Sequence, residues 1–276
     1  EAWVYHNSLP AEVQRYITVE PEVAVIRFDG TQYGGYHSLH FYIRRPDGSI
    51  WSSRVDSILT TGEWMHVAGS YDGEYMKVYL NGKLVKTEHQ DEGLYPANGQ
   101  YGFGSGSLDG KLEEVRIWNV ARSAQEIRES MHVSLTGIEP GLYGCWQFNE
   151  GSGNTVHDIA SGNDGTLVNM DPSNWINSTI PFGGGYSQSK TETTGEVDFP
   201  ETGLSMFFHS QSGAEITVSR IDTMPNLDPL ADTTLDAQYW VIHRFSTSAF
   251  EADLTFSVTD DLTSYHEANP SLIKLY

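Results

Sequence analysis

An acidic loop past the middle of the chain carries residue types that bind a hard cation. The segment Asp158-Ile-Ala-Ser-Gly-Asn-Asp-Gly-Thr166 gathers carboxylate, amide and hydroxyl oxygens around two glycines. Calcium prefers oxygen ligands, and glycines let the backbone bend so that carbonyl groups also face one centre. The same residues are good turn formers, because Asp, Asn and Ser side chains bond to their own backbone, so a plain turn is an equal alternative. For calcium, the candidate ligands are Asp158, Ser161, Asn163, Asp164 and Thr166, with Glu113 or Glu114 from a neighbouring strand completing the shell.

A second loop has the composition of a sugar-binding surface. Tyr33 and Tyr36 lie in the glycine-rich segment Asp29-Gly-Thr-Gln-Tyr-Gly-Gly-Tyr36, where the glycines offer the rings little to pack against. The C–H-rich face of a sugar ring stacks well on a flat aromatic surface. Because most aromatic residues of a β-sandwich are core residues, the competing interpretation is a packing role. We place Trp51, Tyr95 and Tyr101 behind the two tyrosines as ligand-binding candidates, and assign Trp3, Trp64, Trp118 and Trp146 to the core.

The other residue types capable of chemistry form no catalytic or zinc-binding pattern. His37, His40 and His66 fall within strand-like runs without a Ser or Cys nucleophile beside them. The sequence has no His-x-His or His-Glu-x-x-His spacing, so zinc is not expected. Cys145 is the single cysteine, which excludes an intrachain disulfide. Its apolar neighbours predict a small buried side chain.

Short strands separated by turns must position these residues. Both Pro46-Asp47-Gly48 and Asn81-Gly82 are hairpin turn signals, the second favouring a type I′ turn. A chain with this many closely spaced turns is typical of a sandwich or barrel. We predict strands at 1–5, 13–19, 22–28, 38–45, 49–55, 64–71, 75–80 and 83–87.

One helix and a second group of strands complete the reading of the chain. Ser123-Ala-Gln-Glu126 is a capping box, followed by Ile127 and Met131 on one helical face. The Gly-, Ser- and Thr-rich segment 183–194 predicts a linker. A second, smaller β-sandwich is expected over 195–276, with strands at 203–209, 214–221, 237–245, 252–259 and 271–276.

Three runs in the first domain resemble a known family. They are Glu63-Trp-Met-His-Val-Ala-Gly-Ser-Tyr-Asp-Gly73, then Val78-Tyr-Leu-Asn-Gly-Lys-Leu-Val85, then the segment from Leu108-Asp-Gly-Lys-Leu-Glu-Glu-Val-Arg-Ile-Trp118 to Ile127. Their order and spacing are similar to those of the laminin-G-like domain of the concanavalin A-like lectin and glucanase group. The resemblance implies an all-β jelly-roll sandwich over residues 1–182, and such domains often hold calcium. The tail resembles sandwich modules that follow these domains in bacterial surface proteins.

The glucanases of this group make hydrolysis an alternative that the residues themselves test. Retaining glycosidases need two carboxylates about 5–5.5 Å apart, and the family pattern is Glu-x-Asp-x-x-Glu. The matching strand here offers Asp109, Glu113 and Glu114, which do not reproduce that spacing. We therefore predict no catalytic activity in this chain.

Charge excludes several classes of partner. The chain has 16 basic and 37 acidic residues, a formal net charge of -21, which repels nucleic acid and anionic lipid. No apolar run reaches membrane-spanning length, so membrane insertion is not expected. The prediction is a carbohydrate-binding or cell-surface recognition module, secreted or at the cell surface, with a glycan or surface protein as partner and further domains flanking it. The alternatives are a spacer in a surface adhesin and an accessory module of a polysaccharide-degrading enzyme.

Overall fold

The computed structural model describes residues 1–33, 36–105, 108–191, 194–209, 215–222, 239–245 and 251–256. The chain forms two compact units, one of Glu1–Ile127 with Leu135–Ile176, the other of Arg128–Ser134 with Asn177–Tyr276. The first unit contains β1 (Ala2–His6), β2 (Gln14–Val19), β3 (Ala24–Asp29), β4 (Ser38–Arg44), β5 (Ile50–Val55), β6 (Trp64–Tyr71), β7 (Tyr75–Leu80), β8 (Lys83–His89), β9 (Tyr101–Phe103), β10 (Gly110–Glu113), β11 (Val115–Trp118), β12 (Leu142–Trp146), β13 (Thr155–Val156) and β14 (Gly165–Thr166). The second contains β15 (Gly185–Lys190), β16 (Gly195–Phe199), β17 (Leu204–Phe208), β18 (Ile216–Ile221), β19 (Tyr239–Arg244) and β20 (Ala252–Phe256).

The first unit is the predicted all-β jelly-roll sandwich. One five-stranded sheet has the order β10-β1-β6-β7-β8 and the other has the order β5-β4-β3-β2-β9, with antiparallel neighbours throughout. Alternate residues of each strand face inward, because side chains point to opposite faces with a period of two. The resulting core takes Val4, Met65, Val67, Met76 and Val78 from the first sheet and Tyr16, Ile26, Phe28, Leu39 and Phe41 from the second.

A glycine on β6 lets an aromatic ring of the facing sheet approach its backbone closely. At Gly69 on β6, an added Cβ would lie 2.6 Å from the ring of Phe41 on β4. No side chain larger than hydrogen fits there without moving that ring, since interiors are packed at crystal density. Cys145 and Trp146 of β12 are both buried, as predicted, and Trp146 belongs to this core. Trp3 is buried too, whereas Trp64 and Trp118 are half-buried.

The predicted hairpins are present at the predicted residues. β4 pairs with β5 across the Pro46-Asp47-Gly48 turn, and β6 pairs with β7. At the β7–β8 turn, Asn81 and Gly82 have φ angles of 48° and 71°. Positive φ at both central residues is what a type I′ turn requires. The sequence signal and the backbone therefore agree.

The predicted helix is α1 (Ala124–Ser130), and its start shows the predicted capping box. The backbone N–H of Glu126 donates to Ser123 Oγ at 3.2 Å, and that of Ser123 donates to Glu126 Oε2 at 2.8 Å. These bonds satisfy two donors that the first helical turn leaves without partners. Ile127 is buried against Ala68 and Tyr79.

The second unit is a small sandwich of two three-stranded antiparallel sheets, ordered β15-β18-β19 and β16-β17-β20. Its buried cluster draws on both sheets: Phe199, Leu204, Met206 and Phe208 come from one, and Ile216 and Val218 from the other. The strands predicted at 203–209, 214–221, 237–245 and 252–259 correspond to β17, β18, β19 and β20. The strand predicted at 271–276 lies outside the described residues.

Two boundary details differ from the prediction. Residues Gly185–Lys190 lie in the segment predicted as a linker, but they form β15, fully paired with β18. A polar Gly/Ser/Thr composition resembles that of a linker, yet Ser187 and Ser189 bond to Ser219 and Thr217 of β18. The second unit also recruits residues 128–134, where His132 Nε2 lies 2.8 Å from His243 Nε2. A composition-based boundary misses contacts of this kind.

Candidate functional site

A polar cleft lies at the start of β2 and the end of β3. It has a volume of about 320 Å³ and is lined by Glu12, Val13, Arg15, Arg27 and Gln32. Known ligand sites span roughly 300–1,000 Å³, so this cleft has room for a small polar group or a sugar ring. Its lining mixes hydrogen-bond donors, an acceptor carboxylate and one apolar side chain. Glu12 and Val13 precede β2, Arg15 and Arg27 lie on β2 and β3, and Gln32 belongs to the glycine-rich loop predicted to bind sugar.

Backbone contacts fix that loop against the segment before β2. The N–H of Gln32 donates to the Ala11 carbonyl at 2.9 Å. At Gly30, an added Cβ would lie 2.3 Å from the Ala11 carbonyl and 2.4 Å from that of Pro10. Only glycine allows the two backbones to approach so closely. The position of Gln32 at the cleft therefore depends on Gly30.

Tyr36 ends the same loop with its ring in solvent. Tyr36 is 66% exposed, more than any other tyrosine in the described part of the chain. Its backbone is held, since its N–H donates to Ser38 Oγ at 3.2 Å and its carbonyl accepts from the Ser57 N–H at 2.8 Å. Tyr33 lies in a 3₁₀ turn, Thr31–Tyr33, but its side chain is outside the described residues. A held backbone with a free ring is the arrangement expected of a stacking platform.

A buried carboxylate organises the charges beside the cleft. Asp29 is 1% exposed, with Oδ1 2.6 Å from Arg27 Nε and Oδ2 2.6 Å from His40 Nδ1. Burial acts to raise the pKa of Asp29, but His40 and Arg27 outweigh it and hold that pKa below its usual value. Arg15 is paired less closely, through Nη2, with Glu22 Oε1 at 3.1 Å. Two guanidinium groups therefore stand at the cleft with one carboxylate partner each.

The remaining aromatic candidates do not gather at this cleft. Trp51 lies on β5 and Tyr101 on β9, which are opposite edges of the same sheet. The Cζ atom of Arg45 lies 4.5 Å from the centre of the Trp51 ring. The ring centres of Tyr101 and Trp146 are 5.6 Å apart. Burial first, and the adjoining Tyr143 second, raise the pKa of Tyr101 to about 12. Tyr95 is 36% exposed, and its N–H donates to the Arg44 carbonyl. Of these three, Tyr95 alone has a ring with substantial access to solvent.

The acidic loop is folded around its first carboxylate. Asp158 is 4% exposed, and its Oδ1 accepts from the N–H groups of Cys145 and Ala160 at 2.8 and 3.0 Å. Its Oδ2 accepts from Ser161 Oγ at 2.5 Å and from the Asn163 N–H at 3.3 Å. Burial acts to raise the pKa of Asp158, yet these bonds prevail and lower it. Both oxygens thus have protein partners.

The other predicted calcium ligands are placed as a turn would place them. Asp164 Oδ1 accepts from the Asp158 N–H at 3.0 Å, and Asn163 Nδ2 donates to Ser161 Oγ at 2.8 Å. Thr166 lies on β14 opposite Thr155, and Glu113 lies on β10 opposite Trp3. Within the described ranges, no three His, Cys, Asp or Glu side chains form a metal-binding group. The oxygen atoms of this loop are engaged in the hydrogen bonds of a turn, so they fit a metal ion poorly. Calcium binding here stays a prediction.

The acidic residues near β10 are not arranged as a pair of catalytic carboxylates. Asp109 is exposed and accepts from Asn7 and Ser8. Glu114, between β10 and β11, is 1% exposed and bonds to Arg116 at 3.1 Å. Burial raises the pKa of Glu114 to about 7 despite Arg116. A raised pKa is typical of a general acid, but this carboxyl is sealed from any substrate, and it serves as a structural ion pair.

His40 on β4 and His66 on β6 are buried strand residues, whereas His37 precedes β4. His66 on β6 is 1% exposed beside Trp3, and burial lowers its pKa to about 3. It stays neutral at physiological pH, as desolvation disfavours the charged form. His40 orients the Asp29 carboxylate, which places it next to the cleft but behind it.

The sequence indicates the glycine-rich loop at this site but not the charged residues that line the cleft with it. Arg15 and Arg27 do not stand out in the sequence, because a charged residue in a strand usually marks only its solvent-facing side, and Glu12 lies in the exposed segment before β2. The available signal was the alternation in Val25-Ile-Arg-Phe-Asp29, where Arg27 falls between inward-facing residues. That signal gives the face of Arg27 but not its neighbour on β2.

The sequence of the first unit is similar to a known family. Residues 1–128 match the Laminin_G_3 family, described as the concanavalin A-like lectin/glucanases superfamily. The match covers less than half of the chain, agrees with the two packed five-stranded sheets of the first unit, and confirms the resemblance over these residues. Within the described residues, no helix is long and apolar enough to cross a membrane.

Similarity to individual proteins is short or distant. Pappalysin-1 from Mus musculus is 35% identical over 79 residues, covering 25% of this chain and 5% of the pappalysin, and the Homo sapiens protein is 34% identical over the same length. This chain therefore spans a small fraction of these relatives. A Bacteroides ovatus protein with a proposed carbohydrate-binding role is 21% identical (60% of this chain, 52% of that chain, TM-score 0.49). The receptor-binding domain of botulinum neurotoxin D is 11% identical (81% and 59%, TM-score 0.35). Likeness at these levels does not identify a ligand.

Proposed function

We propose that this chain is a non-catalytic carbohydrate-binding module of a larger secreted or surface protein. One observation supports the proposal above the rest: a single loop presents the exposed ring of Tyr36 and, through Gln32, one wall of a polar cleft. Sugars are bound by this combination, in which an aromatic surface takes the ring face and polar groups take the hydroxyls.

The fold and the acidic residues favour binding over hydrolysis. The first unit has a lectin-like fold, and Glu114, the acidic residue with the most perturbed environment near β10, is sealed inside the protein. A glycosidase needs two accessible carboxyl groups on either side of the bond it breaks. We therefore assign the chain a recognition role, with the glycan as partner.

A glycan array with two tyrosine variants tests this function. We expect the wild-type chain to bind one group of glycans and Tyr36→Ala to lose roughly two- to tenfold in affinity, because stacking on one ring contributes about 0.5–1.5 kcal/mol. Tyr186→Ala is the matched control, since this tyrosine is 55% exposed but belongs to the second unit. Both variants should melt at the wild-type temperature.

The alternatives predict other outcomes of the same experiment. If the wild-type chain binds no glycan, the binding function is refuted and a spacer role in a surface protein remains. If labelled polysaccharides are cleaved reproducibly, and Glu113→Gln abolishes the cleavage, the non-catalytic assignment is wrong.

A further inference from the structure

The cleft contains an unusual pairing of like charges. Arg15 on β2 lies directly opposite Arg27 on β3, and the same cross-strand row continues through His40 on β4 to Arg54 on β5. Like charges directly opposite each other destabilise a sheet. The row is the more notable because basic residues are outnumbered 16 to 37 in this chain. A row of this kind calls for negative charge nearby.

Two carboxylates of the protein supply part of that negative charge, but they do not engage every N–H donor of the two arginines. Asp29 is shared between Arg27 and His40, and Glu22 is shared between Arg15 and Arg44. A guanidinium group has five N–H donors and no acceptor. Arg15 donates to Glu22 through Nη2, and Arg27 donates to Asp29 through Nη2 with its Nε 2.6 Å from Asp29 Oδ1. The two arginines therefore retain capacity to bind an anion.

The cleft joins these donors to groups suited to sugar hydroxyls. Arg15 and Arg27 line it together with Gln32, which both donates and accepts, and Glu12, which accepts. Val13 is the one apolar lining residue. The planar fork of a guanidinium matches the two oxygens of a carboxylate and binds it more strongly than a neutral acceptor. The lining therefore suits a sugar that bears one carboxylate.

We infer that this cleft binds a hexuronate residue of a glycan, with Arg15 and Arg27 on its carboxylate and Glu12 and Gln32 on its hydroxyls. This inference rests on the proposed glycan-binding function and specifies the ligand. The formal charge of -21 repels dense polyanions at long range. A uronate within an otherwise neutral oligosaccharide is therefore favoured over a highly sulfated chain.

Paired oligosaccharides provide the test. Calorimetry compares a hexuronate-containing oligosaccharide with the same compound after reduction of its carboxylate to a primary alcohol. We expect the wild-type chain to bind the acid at least tenfold more tightly, and Arg15→Gln to reduce this preference to about twofold or less. Arg15→Lys, which keeps the charge but not the fork, should fall between them. Arg54→Gln is the control, because Arg54 belongs to the same row without lining the cleft and should keep the full preference.

Each result bears on one of the two proposals. Equal affinity for the acid and the reduced sugar refutes the uronate inference but leaves glycan binding standing. Loss of preference in Arg54→Gln as well as Arg15→Gln refutes a specific role for the cleft. Tighter binding of a sulfated glycan than of the uronate refutes the choice of carboxylate. Absence of binding to every glycan refutes both proposals. A thermal melt of Arg15→Gln establishes that the variant is folded.

Discussion

Two loops of the first unit are built from similar residues and differ in where their polar groups point. In the acidic loop, 158–166, the carboxylate of Asp158 accepts four hydrogen bonds from protein donors. In the tyrosine loop, 29–36, the backbone is held by Ala11 and Ser57 while Gln32 and Tyr36 face solvent. A loop whose polar groups hydrogen-bond to one another is a structural turn. A loop whose backbone is held while its side chains face solvent is a surface that can bind a ligand.

The largest effect is expected when the centre of the acidic loop is changed. Asp158→Asn keeps the shape but places an amide N–H₂ among N–H and O–H donors, so buried hydrogen bonds are lost. We expect the free energy of unfolding to fall by about 3 kcal/mol, measured by denaturant titration. Asp171→Asn is the matched control: this exposed turn residue accepts one bond from Ser173. Equal effects of the two variants would contradict the structural role of Asp158.

The same variant should change the response to acid. Because the folded-state pKa of Asp158 is lowered, its contribution to stability is present above the unfolded pKa, near 4, and is lost as the pH falls through the folded pKa. Unfolding of the wild-type chain measured from neutral pH to pH 2 should include this loss, and Asp158→Asn should lack it. Parallel pH profiles for the two proteins would show that the lowered pKa makes no contribution.

A smaller effect is expected where the tyrosine loop meets the segment before β2. Gly30→Ala inserts a methyl group where the Ala11 and Pro10 backbones already stand, so the loop must move. We expect a loss of about 2 kcal/mol in stability and a larger proportional loss of glycan affinity, since Gln32 leaves the cleft. Calorimetry and a melt on the same sample measure both. Unchanged affinity would show that the cleft does not need this loop position.

A glycine substitution in the acidic loop, Gly162→Ala, contrasts with Gly30→Ala in the tyrosine loop. Gly162 has φ +73° and nothing within 4 Å of an added Cβ, so Gly162→Ala meets only backbone strain. The expected cost is about 1 kcal/mol, and glycan binding should be unchanged. A loss of binding here would show that the acidic loop, too, takes part in recognition.

The smallest effect is expected from calcium. Because the hydrogen bonds of Asp158 hold the acidic loop by themselves, melting temperatures with calcium and with chelator should agree. A ligand that binds only the folded state raises its stability. A higher melting temperature in calcium that disappears in Asp164→Asn would support the calcium prediction and remove the contrast between the two loops.

Much of the architecture could be predicted because the signals for it are local. The Asn81-Gly82 turn and the Ser123/Glu126 capping box are formed by residues within three positions of each other, and both are present. The β15 strand was missed because its stabilising partners are Ser219 and Thr217, some thirty residues later in the chain. The same limit hid the cleft, whose lining comes from the segment before β2, from β2 and β3, and from the loop that follows β3.

The sequence by itself determined the class of fold, the strands and the two loops where binding chemistry had to be sought. Strand alternation, turn residues and capping are properties of neighbouring residues, which is why they are readable in order. The tertiary structure alone decided which loop is a turn and which borders a cleft. Strand register also decided that Arg15 faces Arg27, and a shift between Arg15 and Ile17 interrupts the simple alternation of β2. The hydrophobic pattern and the turn between β2 and β3 set the register in general, but residue types and spacing do not reveal the shift that places Arg15 opposite Arg27.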